Sequence, residues 1–62
     1  MQLILDSKEQ QMQFEGSITN LLKELNVSRE EVVVKINGKL APETAKVGKA
    51  DKVEVIKVVF GG

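Results

Sequence analysis

The sequence contains no cysteine, histidine, tryptophan or tyrosine, and only two phenylalanines and one proline. Without cysteine there is no disulfide, thiol nucleophile or thiolate metal site, and without histidine the usual general base and metal ligand are missing. Two aromatic rings leave no stacking platform for nucleotide bases. Nine basic and nine acidic residues give zero net charge, so the chain also lacks the excess of basic residues that is typical of nucleic-acid binding. These absences argue against an enzyme, a metal protein and a nucleic-acid-binding protein.

At 62 residues the chain has room for one small domain of thin stability, because such a domain buries only about 60% of its unfolded surface. No apolar run exceeds three residues, which is too short for a membrane span or a signal peptide. These features predict a cytoplasmic protein without a membrane or nucleic-acid partner.

Apolar and polar residues alternate near the N-terminus, and this pattern predicts an antiparallel hairpin. We expect strands over Met1–Asp6 and Gln11–Glu15, joined by a polar turn over Ser7–Gln10. In the second strand, Met12 and Phe14 would share the inward face.

The pattern then changes from a period of 2 to a period of 3.6, which predicts one amphipathic helix over residues 18–26. Ser17 is a suitable N-cap and Asn26 a suitable terminator. Four apolar residues follow helical spacing and form the inward face: Ile18, Leu21, Leu22 and Leu25.

After the helix, Ser28–Glu31 predicts a single turn, because a longer helix would run into three valines that favour strand. Glu31–Ile36 predicts a strand, and Asn37–Gly38 is the strongest hairpin-turn signal in the chain, since both residues tolerate positive φ. A short return strand over Lys39–Ala41 would end at Pro42.

The remainder predicts a loop over Glu43–Lys49, with at most one helical turn, and a last strand over Asp51–Phe60. Val53 and Val55 point inward in that strand. Strict alternation also places Lys57 inward. Either its side chain extends past the end of the core, or a β-bulge shifts the inward–outward alternation.

The element order is therefore β-β-α-β-β-β, which predicts an α+β roll. We expect a mixed sheet of four to five strands, with the first and last strands as its central pair and one helix packed on one face. The predicted core consists of Leu3, Leu5, Met12, Phe14, Ile18, Leu22, Leu25, Val34, Ile36 and Val53.

Several motifs together resemble a known family. After an opening strand, Leu21–Leu25 reads Leu-Leu-x-x-Leu, Val32–Gly38 reads V-x-V-x-I-N-G, and Asp51–Gly62 reads D-x-V-E-V-I-x-V-V-x-G-G. In this order, and with Pro42, they are similar to the ThiS/MoaD sulfur carriers, the prokaryotic β-grasp relatives of ubiquitin. The resemblance is greatest to ThiS-type carriers and small archaeal modifiers. One departure is Lys49–Asp51, where the family often has Asp-Gly-Asp.

The resemblance implies a β-grasp domain over residues 1–60 with a flexible Gly61–Gly62 tail. It also implies a co-substrate rather than an enzyme: a separate adenylyltransferase, related to ubiquitin-activating enzymes, would activate the C-terminal Gly62. An α-carboxylate with a pKa of about 3.5 is a poor electrophile at neutral pH, so adenylation with ATP and Mg²⁺ must precede sulfur transfer. The chain itself would bind no cofactor.

A persulfide enzyme would then supply sulfur, giving a thiocarboxylate on Gly62 for a thiazole, molybdopterin or tRNA-thiolating synthase. Two alternatives stay open. The same activation could join Gly62 to lysines of target proteins, as in a ubiquitin-like modifier. In the other alternative, the chain is a non-covalent interaction domain and Gly61–Gly62 is incidental.

The last strand has more apolar residues than one buried face needs, which indicates a second apolar surface. If this strand lies beside the first and third strands, a patch forms on the sheet face away from the helix. We expect that patch and the segment Val59–Phe60 to bind the activating enzyme. Its predicted members are Ile4, Val33, Ile56 and Val58.

Overall fold

The computed structural model describes residues 1–58. One α-helix, α1, spans Ile18–Leu25, and one 3-10 turn spans Arg29–Glu31. The strands are β1 (Gln2–Leu5), β2 (Lys8–Gln11), β3 (Gly16–Ser17), β4 (Val32–Ile36), β5 (Lys39–Leu40), β6 (Lys46–Val47) and β7 (Lys52–Lys57).

Five of these strands form one mixed sheet in the order β2-β1-β7-β4-β5. Strand β7 is the middle strand, parallel to β1 and antiparallel to β4. The predicted α+β roll, with a mixed sheet and one helix on one face, is confirmed. The first and last strands are neighbours, as expected, and the last strand separates the two hairpins of the sheet.

Helix α1 begins and ends where the sequence predicts. The hydroxyl of Ser17 accepts a hydrogen bond from the Asn20 N–H at 3.2 Å, which satisfies one amide of the first turn. The carbonyls of Ala45 and Glu43 accept from the first two helical amides at 2.9 and 3.0 Å. Asn26 ends the helix in the left-handed conformation, with φ of 58°.

The core lies between α1 and the three inner strands. Alternate residues of β1, β4 and β7 face the helix, as the period of 2 requires. Its buried members are Met1, Leu3, Ile18, Leu21, Leu22, Val34, Val47, Val53 and Val55, and the predicted core residues Leu5, Met12, Phe14, Leu25 and Ile36 pack partly buried against them.

The predicted N-terminal hairpin is correct in kind but wrong in position. The turn consists of Asp6 and Ser7, not Ser7–Gln10, and the second strand is Lys8–Gln11, not Gln11–Glu15. Asp6 and Ser7 have φ of 53° and 66°, as a tight two-residue hairpin turn requires at both positions. The apolar alternation that suggested the later strand comes from side chains that pack on the core beyond the end of β2.

The predicted loop over Glu43–Lys49 is also wrong in part. Lys46 and Val47 form β6, which pairs with Gly16–Ser17 in a separate two-stranded sheet. Val47 is only 5% exposed and belongs to the core. Two residues are too few to show any periodicity, and their strand character depends on a partner about thirty positions away.

A turn over Gly48–Asp51 leads into β7, with Ala50 where the family pattern often has glycine. The Asp51 N–H donates to the Gly48 carbonyl at 3.2 Å, and the Asp51 carboxylate accepts from the Gly48 N–H at 2.8 Å. Lys49 and Ala50 both keep negative φ, so no glycine is needed. The Gly48 amide first, and then the Asn37 side chain, lower the pKa of Asp51.

The other predicted turns and strands agree with the structure to within a few residues over the described part of the chain. The predicted end of the last strand, at residues 59–60, lies outside the described residues. The single turn before β4 is the 3-10 turn, and Asn37–Gly38 closes the second hairpin with φ of 52° and 85°. The pairing of β4 with β7 runs unbroken from Ile36–Val53 to Val32–Lys57, so no bulge shifts the phase. Lys57 is on the helix side but exposed, because the core ends before it.

Candidate partner-binding site

The sheet surface opposite α1 is here named the open face. Its residues alternate with buried ones along the inner strands, and the hairpin pairing adds one residue of β5 to them. Around the predicted patch its members are Ile4, Val33, Lys35, Leu40, Glu54 and Ile56. By the same register the polar residues Gln2, Glu9, Gln11 and Lys52 lie on this face as well.

Strand register decides which of these side chains meet. Val33 lies directly opposite Ile56 on neighbouring strands, so these two form an apolar pair across the sheet. Ile4 lies opposite Glu54, and Ile56 is the next residue of β7 on that face. Ile4 and Ile56 also line the same depression, so the two side chains lie near each other. Three of the four predicted patch residues are therefore neighbours.

The open face is only partly apolar. Glu54 is paired on its other side with Lys35, a cross-strand pair of opposite charge between the two apolar ends of the face. Ile4 and Ile56 are half-buried and line one shallow depression beside the Asp6–Ser7 turn. Val33, 36% exposed, and Leu40 also border a groove at the β4–β5 edge of the sheet, whose other walls include Ile18 and Leu22 of α1.

The fourth predicted patch residue, Val58, is the last one described. Its N–H donates to the Glu31 carbonyl at 2.8 Å, so the pairing of β7 with the start of β4 continues one step beyond the strand. Val58 is half-buried. The other predicted site residues, Val59, Phe60, Gly61 and Gly62, lie outside the described residues.

Leu40 was not predicted as part of a surface, yet it is the most exposed large apolar side chain of the described residues, at 70%. The sequence contains the signal needed to find it. A two-residue turn at Asn37–Gly38 pairs Lys35 with Leu40, so Leu40 shares the outward direction of Lys35. The open face therefore extends to the sheet edge at β5.

Residues 1–58 hold no group of three or more acidic, histidine or cysteine side chains placed to bind a metal ion. In the same range, no helix has the length and apolar character to cross a membrane. What the described surface does offer is a mixed apolar and charged sheet face, which is suited to contact with another protein.

Comparison with known proteins shows to which family the chain belongs. A profile of the ThiS family matches residues 2–62. The chain is similar to the crystal structure of a thiamine biosynthesis protein (ThiS) from Geobacter metallireducens, with 28% identity, a TM-score of 0.68 and 100% coverage of both chains. It is also similar to an NMR solution structure of a thiamine biosynthesis protein from that organism, with 29% identity, a TM-score of 0.67 and coverage of 100% and 88%. No curated protein sequence matches it. The chain belongs to the ThiS family.

Proposed function

We propose that this protein is a sulfur carrier of thiamine biosynthesis, acting as the co-substrate of separate enzymes. The observation that carries the proposal is the match to the ThiS family over residues 2–62. Similarity to a thiamine biosynthesis protein over the full length of both chains supports the thiazole route, rather than molybdopterin or tRNA thiolation.

In the proposed reaction, the α-carboxylate of Gly62 attacks the α-phosphorus of Mg²⁺-bound ATP and releases pyrophosphate. A persulfide-bearing enzyme then displaces AMP from the acyl-adenylate. A thiol reduces the resulting acyl disulfide, which leaves a thiocarboxylate on Gly62. Gly61 and Gly62 suit the narrow channel of an adenylyltransferase, because glycine has no Cβ and lets the backbone approach a phosphate closely.

The open face would supply the non-covalent part of recognition. We propose that Val33, Ile56 and Ile4 contact the adenylyltransferase, together with Val58 and the segment Val59–Phe60. The support is that register brings the first three together on one exposed surface. Strand β7 is held on both sides, so this surface would present the C-terminal segment from a fixed position.

The first experiment is an intact-mass measurement after incubation with ATP, Mg²⁺ and a ThiS-activating adenylyltransferase, with and without a persulfide donor. An adenylate adds about 329 Da and a thiocarboxylate about 16 Da, both mapping to Gly62. A variant that lacks Gly61–Gly62 should gain neither mass while keeping the circular dichroism spectrum of the parent, because the buried core residues of the described chain run from Met1 to Val55.

The result also separates the alternatives. Tryptic peptides that join Gly62 to lysine side chains in cells would favour a ubiquitin-like modifier. If no mass gain occurs with several cognate adenylyltransferases, and the tail deletion keeps full function, the chain is a non-covalent interaction domain and the proposal fails.

A further inference from the structure

The β4–β5 turn combines reactive chemistry with a specific contact. Asn37 and Gly38 are both exposed, and nothing lies within 4 Å of the point where a Cβ of Gly38 would be. Because glycine has no side chain to shield its backbone nitrogen, the Gly38 nitrogen is an unhindered nucleophile next to the side-chain amide carbon of Asn37. The other two asparagines precede bulky residues: Asn20 precedes Leu21 and Asn26 precedes Val27.

The Asn37 side chain is nevertheless held at both ends. Its Nδ2 donates to Oδ1 of Asp51 at 3.0 Å, and its Oδ1 accepts from the Lys52 N–H at 3.0 Å. The Asn37 N–H also donates to the Lys52 carbonyl at 2.8 Å. These contacts tie the turn to the first residues of the central strand β7, and we name the Asn37–Asp51 contact the amide clamp.

We propose that Asn37 is a site of spontaneous deamidation whose rate the amide clamp controls. The deprotonated Gly38 nitrogen attacks Cγ of Asn37, forming a new N–Cγ bond. The Cγ–Nδ2 bond breaks and ammonia leaves, which gives a five-membered succinimide. Water then opens the ring at Cγ to give aspartate, or at the main-chain carbonyl carbon to give isoaspartate. One water is consumed and one ammonia released, without an oxidant or reductant.

Two features of the structure link the clamp to the rate. The leaving nitrogen Nδ2 is the atom that the Asp51 carboxylate binds. For attack, the amide must also turn towards the Gly38 nitrogen, so it must give up the bond to the Lys52 N–H. The folded chain therefore reacts only in states where both bonds are open, and loss of the Asp51 carboxylate makes these states more frequent.

The product would damage the same contact. Aspartate at position 37 replaces the donor Nδ2 with a second carboxylate oxygen facing the Asp51 carboxylate, so an attraction becomes a repulsion. Isoaspartate adds a backbone atom to a turn that has only two residues. Either product loosens the β4–β5 turn from the start of β7. This inference does not depend on the proposed sulfur-carrier function.

The test follows deamidation in mildly alkaline buffer by mass spectrometry of the tryptic peptide 36–39, which contains no other asparagine. Replacing an amide nitrogen with oxygen adds about 1 Da, and the two isomers separate by chromatography. We expect Asp51→Ala to react roughly fivefold faster than the wild type, because losing one hydrogen bond makes the open, reactive states about fivefold more populated. Asp51→Asn keeps an acceptor oxygen and should stay near the wild-type rate, while Gly38→Ala should suppress the reaction.

The chain unfolded in urea gives the unprotected rate, and circular dichroism identifies any variant that does not fold. The proposal fails if the folded wild type reacts as fast as the unfolded chain, if folded Asp51→Ala does not accelerate, or if Asn20 or Asn26 reacts first. If Asp51→Ala is unfolded, Asn37→Asp, which reproduces the aspartate product, tests the amide clamp instead. Asn37→Asp should lower the urea midpoint, and the double variant Asn37→Asp/Asp51→Asn should restore it. If the double variant does not restore the midpoint, the proposed role of the amide clamp is wrong.

Discussion

The two faces of the central sheet carry similar apolar side chains in different surroundings. On the helix side, Leu3 and Val53 are completely buried beneath α1. On the open face, Ile4 and Ile56 belong to the same strands but remain half-exposed, with charged neighbours from Lys35 and Glu54. Similar residue types therefore serve stability on one face and are available for recognition on the other. The difference comes from helix α1, which covers one face of the sheet.

The sharpest test of this comparison uses adjacent residues of β1. We expect Leu3→Ala to lower the free energy of unfolding by about 3 kcal/mol, because it leaves a cavity in a closed core. Ile4→Ala should cost about 1 kcal/mol, since its side chain is already partly hydrated. Urea denaturation at neutral pH measures both, and equal losses would break the distinction between the faces.

The second test asks whether the open face binds the activating enzyme. Ile56→Thr keeps a β-branched side chain and the strand geometry but makes the surface polar. We expect the dissociation constant for the adenylyltransferase to rise about tenfold while the unfolding midpoint changes little. Leu40→Thr, on the same face but at the sheet edge, is the matched control and should change binding much less. Unchanged binding in Ile56→Thr would remove this residue from the interface.

The third test loosens the covering helix. Ser17→Ala removes the acceptor for the Asn20 amide and should lower the free energy of unfolding by about 1 kcal/mol. Ser17→Asp retains an acceptor at this position and should stay close to the wild type. Thermal denaturation followed by circular dichroism measures both. A loss in Ser17→Asp as large as that in Ser17→Ala would show that the cap contact is not the cause.

The smallest expected effect lies outside both faces, at the turn before β7. The pKa of Asp51 is lowered by the Gly48 amide and the Asn37 side chain. Its folded value is thus below the unfolded value of about 3.9. The stability it contributes is present above that value and is lost as pH falls through the folded pKa. Urea denaturation at several pH values should therefore show a wild-type advantage over Asp51→Ala at pH 7 that shrinks in acid. A constant difference would contradict this role.

Local signals in the sequence predicted most of the fold. The helix over residues 18–26, its Ser17 cap and the Asn37–Gly38 turn were all expected, because each depends on neighbouring residues. The last strand was expected beside the first, and with it the contact between Val33 and Ile56 on the open face. The role of that face in binding another protein stays a prediction, which the Ile56→Thr variant tests.

Two segments differ from the prediction, one because of an unusual turn conformation and the other because a short strand has a distant partner. Asp6–Ser7 adopts positive φ at both positions although neither residue is glycine, so the first turn was placed too late in the chain. The sequence pattern predicts a loop where β6 lies, because its two residues become a strand only by pairing with Gly16–Ser17. A short segment gains too few local hydrogen bonds to determine its own conformation.

By itself, the sequence determined the class of fold and the family motifs, because hydrophobic period, capping residues and turn chemistry act over a few positions. It also determined that the chain lacks the cysteine and histidine chemistry of many enzymes. Only the tertiary structure decided that Val47 joins the core through β6, that Lys57 lies past the end of the core, and that Asp51 reaches Asn37. These features depend on strand register and on the extent of the helix, which arise when segments far apart in sequence pack together.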